Sequence, residues 1–217
     1  MDQRKEKRKQ ATEPEGISGT VFTLVHDLLY VLAAITVVFV LFARLTGVFG
    51  SSMYPTLMGQ TDDGSRKGDY LVLLSNVVST NYKKGDLIVA CVPTYDDDKP
   101  IVKRVIATEG QTVDLRYDED GVYRVFVDDE PQYEDNYIKL PMKVTYYQTI
   151  EFPATVPENC FFVMGDNRNA SADSRYPSIG MIHRQYIVGK ALFVIVPGQD
   201  EDGSRDWTRL FQLRTKR

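Results

Sequence analysis

"IVKRVIATEGQTVDLRYDEDGVYRVFVDD", residues 101–129, decides the fold class. It holds three short runs, IVKRVIA, TVDLRYD and YRVFVDD, each rich in β-branched or aromatic residues and bounded by turn formers. Asp120-Gly121 between the second and third runs is a hairpin signal, since both residues tolerate the left-handed backbone that a two-strand turn needs. Side chains alternate on a strand, so Ile101, Lys103 and Val105 face one way and Val102, Arg104 and Ile106 the other. Outward in both directions the pattern repeats in DYLVLLSNVV, GDLIVACVP, CFFVMGD and YIVGKALFVIVP. Gly, Asp, Asn and Pro fill the gaps between them. No long helical stripe follows residue 52. The expectation is a mostly β domain of short antiparallel strands.

The N-terminus has another character. MDQRKEKRKQ is strongly basic, TEPEGISGT is a polar linker, and residues 21–42 read VFTLVHDLLYVLAAITVVFVLF. As a helix, those residues reach about 33 Å, enough to cross a bilayer core. His26 and Asp27 are awkward inside it. They push the span toward residues 28–48, with Arg44 snorkelling to the interface. The stretch 28–42 has almost no polar face, which argues against a core helix of a soluble domain. Its length and the interruption at Arg44 argue against a cleaved signal peptide. An uncleaved single-span anchor at 21–48 is expected, its basic tail (1–20) in the cytoplasm and the rest outside.

Bulk composition excludes more than it identifies. The formal net charge of −4 argues against general nucleic-acid binding. No repeat or nucleotide-binding glycine pattern is present. Cys91 and Cys160 have no metal-ligand spacing, and their pairing is left open. The acidic run 96–98 reads as a solvated turn. Asn169-Ala170-Ser171 fits a glycosylation sequon, a pattern common by chance. In the tail, 199–217, Trp207, Leu210 and Phe211 share a helical face among arginines. That suits either an interfacial helix or a helix packed on its own domain.

A serine nucleophile needs a base and a hold on the developing oxyanion. Only two histidines are available. His26 belongs to the apolar segment and nothing marks out His183. Lysine is the other candidate base. Its ordinary pKa is near 10.4, and lowering it by about 3 units takes roughly 4 kcal/mol, which apolar burial can supply. Lys103, flanked on its strand face by Ile101 and Val105, is in such a setting.

SSMYPTL (51–57), GDLIVA (85–90), VKRVIATEGQTV (102–113) and GDNRNASADSR (165–175) occur in that order behind the apolar segment. Together they resemble the successive boxes of the bacterial type I signal peptidases, membrane-bound Ser/Lys endopeptidases also called leader peptidases. The resemblance spans roughly residues 49–175, with the preceding anchor and the following GKALFVIVP. It implies Ser52 as nucleophile and Lys103 as general base. Ser171 is implied to orient the lysine amine, and the Ser52 backbone N–H to hold the oxyanion. Asp166 with Arg104, and Asp173 with Arg175, are implied as structural ion pairs. Some members carry a serine at the position of Gly50 whose hydroxyl helps hold the oxyanion; glycine leaves that second donor open. Eukaryotic secretory relatives have histidine where Lys103 stands, so this chain looks bacterial.

The implied activity is removal of N-terminal signal peptides from secreted preproteins after small residues, in the A-x-A manner, by an extracytoplasmic domain at 49–198. Strand residues beside Lys103 and the Ser52 loop are the expected walls of a site that binds an extended segment at a strand edge. Preprotein signal peptides and the lipid bilayer are the implied partners, with a secretion translocon nearby and no nucleic acid. No metal or organic cofactor is needed. A non-catalytic relative serving surface-pilus assembly is the alternative. A self-cleaving Ser/Lys repressor would carry a DNA-binding domain where this chain has its apolar segment.

Overall fold

The computed structural model describes residues 17–79, 81–93, 95, 99–144, 149–200 and 202–213. Residues 1–16 of the basic tail and the acidic run 96–98 lie outside the described residues; 17–20 already belong to a helix. The chain divides into two units, Met1–Leu41 and Phe42–Arg217. Helix α1 spans Ile17–Phe42, all but its last residue in the first unit. Its section Gly19–Phe42 is long and apolar enough to cross a membrane. Thr23 and Thr36 donate their hydroxyls to the carbonyls of Gly19 (3.0 Å) and Leu32 (2.8 Å) within the helix. Neither hydroxyl then presents an unsatisfied donor to an apolar medium.

The second unit is mostly antiparallel sheet. Its strands are β1 Ala43–Gly47, β2 Tyr70–Ser75, β3 Leu87–Cys91, β4 Pro100–Thr108, β5 Thr112–Tyr117, β6 Tyr123–Val127, β7 Glu130–Pro131, β8 Ala154–Thr155, β9 Cys160–Met164, β10 Ile182–His183 and β11 Ile187–Val196. All seven runs read as strands from the sequence are strands here. β1-β2-β11-β3-β4-β9-β10 form one sheet and β7-β6-β5-β8 a second. The β5–β6 hairpin turns at Asp120-Gly121. The Gly121 N–H donates to the Asp118 carbonyl (3.1 Å) and the Asp118 N–H to the Val122 carbonyl (2.9 Å).

Alternation along β3 divides the core. Leu87 and Val89 join Met53, Leu57, Leu71 and Val102 in one apolar cluster; Ile88 and Ala90 join Val105, Phe161 and Val163 in another. A third cluster lies where β9 meets the small sheet, with Phe162 and Met164 packed among Ile106, Val113 and Val125. β4 therefore has core on both faces, and that makes its middle a dry place.

Two expected boundaries are corrected. The anchor does not run helical to residue 48: α1 stops at Phe42, and Ala43–Gly47 is a strand paired antiparallel to β2, Ala43 opposite Leu74 and Gly47 opposite Tyr70. Ladder hydrogen bonds to β2 win over a helix that Thr46 and Gly47 support poorly. The tail is no separate helix among the described residues. It makes one 3₁₀ turn, Trp207–Arg209, and the buried Arg209 pairs with the buried Asp69 carboxylate (2.9 and 2.6 Å). The Phe211 N–H donates to the Val194 carbonyl (2.9 Å). Burying that ion pair ties 205–213 to the second unit, so residue 198 ends no domain.

Candidate active site

Ser52 lies in the turn that follows β1. The Tyr54 N–H donates to the Ser51 carbonyl (3.1 Å) and the Leu57 N–H to that of Met53 (2.9 Å). Met53 and Leu57 are fully buried. They act as two anchors that sink one side of the turn into the core and leave Ser52 half-buried at its rim. A second tie closes the base of the loop, since Gly50 and Gln60 exchange hydrogen bonds with the Gln60 and Val48 carbonyls (3.0 and 2.8 Å).

Lys103 is in the middle of β4, opposite Ile88 of β3. Strand alternation puts it on the face of Ile88, Ile101 and Val105, members or neighbours of one apolar cluster. It is 4% exposed, and its Nζ donates to the Ser52 Oγ at 2.8 Å. Burial pushes the amine down from an ordinary 10.5 to about 8; Arg175 pushes the same way, while Asp173 and Asp166 act against it. The mechanism of the shift is the loss of water around a cation.

Around this pair stand buried charges in matched sets. Arg104 grips Asp166 with two parallel hydrogen bonds, Nε to Oδ1 (2.8 Å) and Nη2 to Oδ2 (2.6 Å), and donates Nη1 to the Gly85 carbonyl (2.9 Å). Arg175 grips Asp173 likewise (2.7 and 2.9 Å) and donates to the Arg168 carbonyl (2.7 Å). Asp173 also accepts from the Gly165 N–H (3.1 Å). Ser171 is buried nearby, but its hydroxyl bonds the Ala172 carbonyl (3.4 Å) rather than the lysine amine. Gly165 is a point of close approach. A Cβ there would stand 2.3 Å from the Ser171 Oγ and 2.4 Å from the Ser52 carbonyl oxygen, so the residues flanking Ser52 close on bare backbone.

Residues 21–196 match the family described as signal peptidase, peptidase S26. The chain belongs to that family. It is 33% identical over 151 residues to Signal peptidase I S of Bacillus subtilis (strain 168), covering 69% of this chain and 75% of that one. It is 36% identical over 156 residues to Probable signal peptidase I-1 of Synechocystis sp., covering 67% of each chain. With Signal peptidase I of Bacillus amyloliquefaciens the identity is 37% over 158 residues, covering 70% of this chain and 74% of the relative. A crystal structure of a signal peptidase I from Enterococcus faecalis V583 is 27% identical, covering 51% of this chain and 96% of that chain, with a TM-score of 0.38.

Two further features of this S26 peptidase surround the Ser52–Lys103 pair. β3 pairs with Pro100 through Arg104 of β4, but the β9 ladder starts only at Arg104. On the β9 side, then, residues 101–103 have no strand partner among the described residues. A cleft of about 920 Å³ opens next to the Ser52 turn and is lined in part by Gly50, Ser51, Tyr54, Gln60, Lys139 and Asn167. Its wall is fixed to that turn: the Asn167 N–H donates to the Ser52 carbonyl (3.0 Å) and its Nδ2 to that of Ser51 (3.1 Å).

Several participants were not visible in the sequence reading. Thr56 donates its hydroxyl to Asp166, and Glu134 pairs with Arg168. Thr56 had a signal, being inside SSMYPTL; Glu134 had none. His183 does not approach the site's chemistry: its Nδ1 accepts from the Gln185 N–H (3.2 Å), capping a short turn after β10 at the sheet edge. Asn169 spends its side-chain amide on the Lys143 N–H (2.8 Å) and the Pro141 carbonyl (3.0 Å). Among the described residues, no group of three His, Cys, Asp or Glu stands together to hold a metal ion.

Proposed function

We propose that this chain is a membrane-anchored serine endopeptidase that removes N-terminal signal peptides from secreted preproteins after small residues of the A-x-A kind. The observation that carries the reading is a lysine amine, almost wholly buried, held 2.8 Å from a serine hydroxyl. A dry amine with its pKa near 8 is partly neutral at physiological pH and can take the serine proton. Ser52 then attacks the carbonyl of the last signal-peptide residue. Lys103 passes that proton to the nitrogen of the breaking peptide bond, so the mature chain leaves with a new amino terminus, the amine is neutral again, and the acyl-enzyme remains. Lys103 next draws a proton from water, whose attack on the ester frees the signal peptide. The Ser52 backbone N–H holds the oxyanion. Gly50 contributes no hydroxyl, and its positive φ of 68° makes a side chain there strained even though the space is open.

Substrate enters as an added strand. The edge at residues 101–103, unpartnered on the β9 side among the described residues, offers backbone N–H and C=O groups to an extended peptide beside the nucleophile. Signal peptides bring such a segment just beyond their own apolar helix, and Ser52 follows α1 by only ten residues. The basic N-terminal tail keeps that end in the cytoplasm, which puts the sheet unit on the outer side, beside the translocon that delivers preproteins.

The test is cleavage of a preprotein bearing an A-x-A site by the full-length chain in detergent, with N-terminal sequencing of the product, alongside Ser52→Ala. Cleavage after the second small residue, lost in the alanine variant, is expected. An inert parent chain would instead favour the non-catalytic, assembly-assisting alternative, and equal cleavage by Ser52→Ala would remove the serine from the chemistry.

A further inference from the structure

Three arginines are buried around the Ser52–Lys103 pair: Arg104, Arg168 and Arg175. The segment 165–175 supplies only two carboxylates, and both are taken. Asp166 holds Arg104 and Asp173 holds Arg175. The charge that matches Arg168 comes from outside, from Glu134 in the loop after β7.

Glu134 is itself buried and uses both oxygens. One accepts from Arg168 Nη1, the other from the Tyr137 hydroxyl. Its backbone carbonyl also accepts the N–H groups of Tyr137 and Ile138 (3.1 Å each), so the loop is wound around it. Each arm leads to a different half of the dyad. Arg168 donates its Nε to the Gly165 carbonyl (3.1 Å), and Gly165 is the residue against which Ser171 and the Ser52 carbonyl close. The ring of Tyr137 lies under the Arg104 guanidinium, 4.0 Å from its centroid. Arg104 is the next residue after Lys103.

We propose that Glu134 is a positioning residue for the Ser52–Lys103 pair, acting through Arg168 on the nucleophile side and through Tyr137 and Arg104 on the base side. This rests on the peptidase reading above. A cation–π contact and a charge-assisted hydrogen bond gain strength away from water, so one carboxylate can fix two arginines of the site at once. The small sheet, which carries no reacting group, thereby sets the registry of the dyad.

The experiment compares preprotein cleavage by the full-length parent, Glu134→Gln, Glu134→Ala, Tyr137→Phe and Tyr137→Leu, with rates expressed per folded enzyme from near-UV circular dichroism. For the Glu134 variants we expect kcat to fall tenfold or more while KM stays within twofold. Tyr137→Phe keeps the ring under Arg104 and should lose less than Tyr137→Leu. The alkaline-rising limb of the pH profile should also move. Lys103 already feels Asp173, Arg175 and Asp166. Removing the Glu134 charge leaves Arg168 uncompensated, which disfavours the protonated amine and shifts the limb to lower pH. Glu134→Gln combined with Arg168→Gln should bring the limb back. If Glu134→Ala does not fold, Glu134→Gln and Tyr137→Leu decide. A kcat per folded enzyme within twofold of the parent in both overturns the proposal, as does a loss with an unmoved limb. A parent chain that cleaves nothing would instead defeat the peptidase reading itself.

Discussion

Raising the pH from 7 to 9 should increase kcat/KM for preprotein cleavage about tenfold and then level off. On the proposed mechanism the working form has a neutral Lys103, and burial holds the amine near 8. About a tenth of it is neutral at pH 7, half at pH 8 and about nine-tenths at pH 9. A lysine left at its ordinary 10.5 would behave otherwise. Its neutral fraction would start near 0.03%, climb about a hundredfold over the same interval, and still be climbing at pH 10. The two cases differ in slope and in where the plateau begins, so the absolute rate is not needed. The assay is initial rate at substrate well below KM, where the profile reports the free enzyme. Ser52→Ala serves as the background at every pH. A hundredfold rise without a plateau below pH 10 would show that the amine is not dry. A flat profile would show that no group titrating near 8 limits the reaction.

The same displaced pKa works against stability. With a folded pKa below the unfolded one, the unfolded chain binds the extra proton, so the cost is full below pH 8 and is relieved as pH rises from 8 to 10.5. Two and a half units correspond to about 3 kcal/mol. Lys103→Met, close to lysine in shape but without the amine, should therefore raise Tm at pH 7 by roughly 5–10 °C, a gain that shrinks by pH 10; an equal gain at both pH values refutes it. Asp166→Asn removes the charge facing the buried Arg104 and should cost about 3 kcal/mol in urea unfolding at an unchanged m-value; a change under 1 kcal/mol would mean the pair is not desolvated. Gly165→Ala adds a methyl 2.4 Å from the Ser52 carbonyl oxygen. The backbone must shift, at a cost of about 1–3 kcal/mol, and cleavage per folded enzyme should fall at least tenfold; unchanged turnover would show that the nucleophile turn is slack.

Much of the sheet was legible because β-branched runs and turn residues are local signals. β4, β5 and β6 could be marked off from residues 101–129 alone. β1 was not legible. Its five residues, ARLTG, carry no alternating β pattern of their own, and only the distant β2 strand, which pairs with it, makes them a strand. The tail failed for a related reason. Trp207, Leu210 and Phe211 have helical spacing, but the decisive contact is Arg209 with Asp69, 140 residues away. In the site, Ser52, Lys103 and the two Asp–Arg pairs all lie within the quoted boxes, and the structure brings Ser52 and Lys103 together. Ser171 was expected to hold the amine and bonds the Ala172 carbonyl instead. Glu134 carries no signal because its loop has neither period nor box, and its contacts with Arg168 and Tyr137 exist only in the folded chain.

Why a site that depends on burial should gather so many charges follows from the sign of each. A carboxylate near the amine favours the ammonium form and would return Lys103 to an idle cation, and Asp173 and Asp166 do pull in that direction. Each of them is gripped by an arginine with two hydrogen bonds, so the field that reaches the amine is that of a pair rather than of a bare anion. Arg175 even adds a push the other way. With the charges balanced locally, desolvation is the largest influence left on the amine. That leaves the architecture with one requirement, a strand with core on both faces whose middle residue reaches a turn rim. β4 meets it because β3, β9 and the buried Met53 and Leu57 close around it, while on the β9 side its residues 101–103 have no strand partner among the described residues. The ion pairs let the carboxylates that order the backbone sit close to the Lys103 amine without restoring its ordinary pKa.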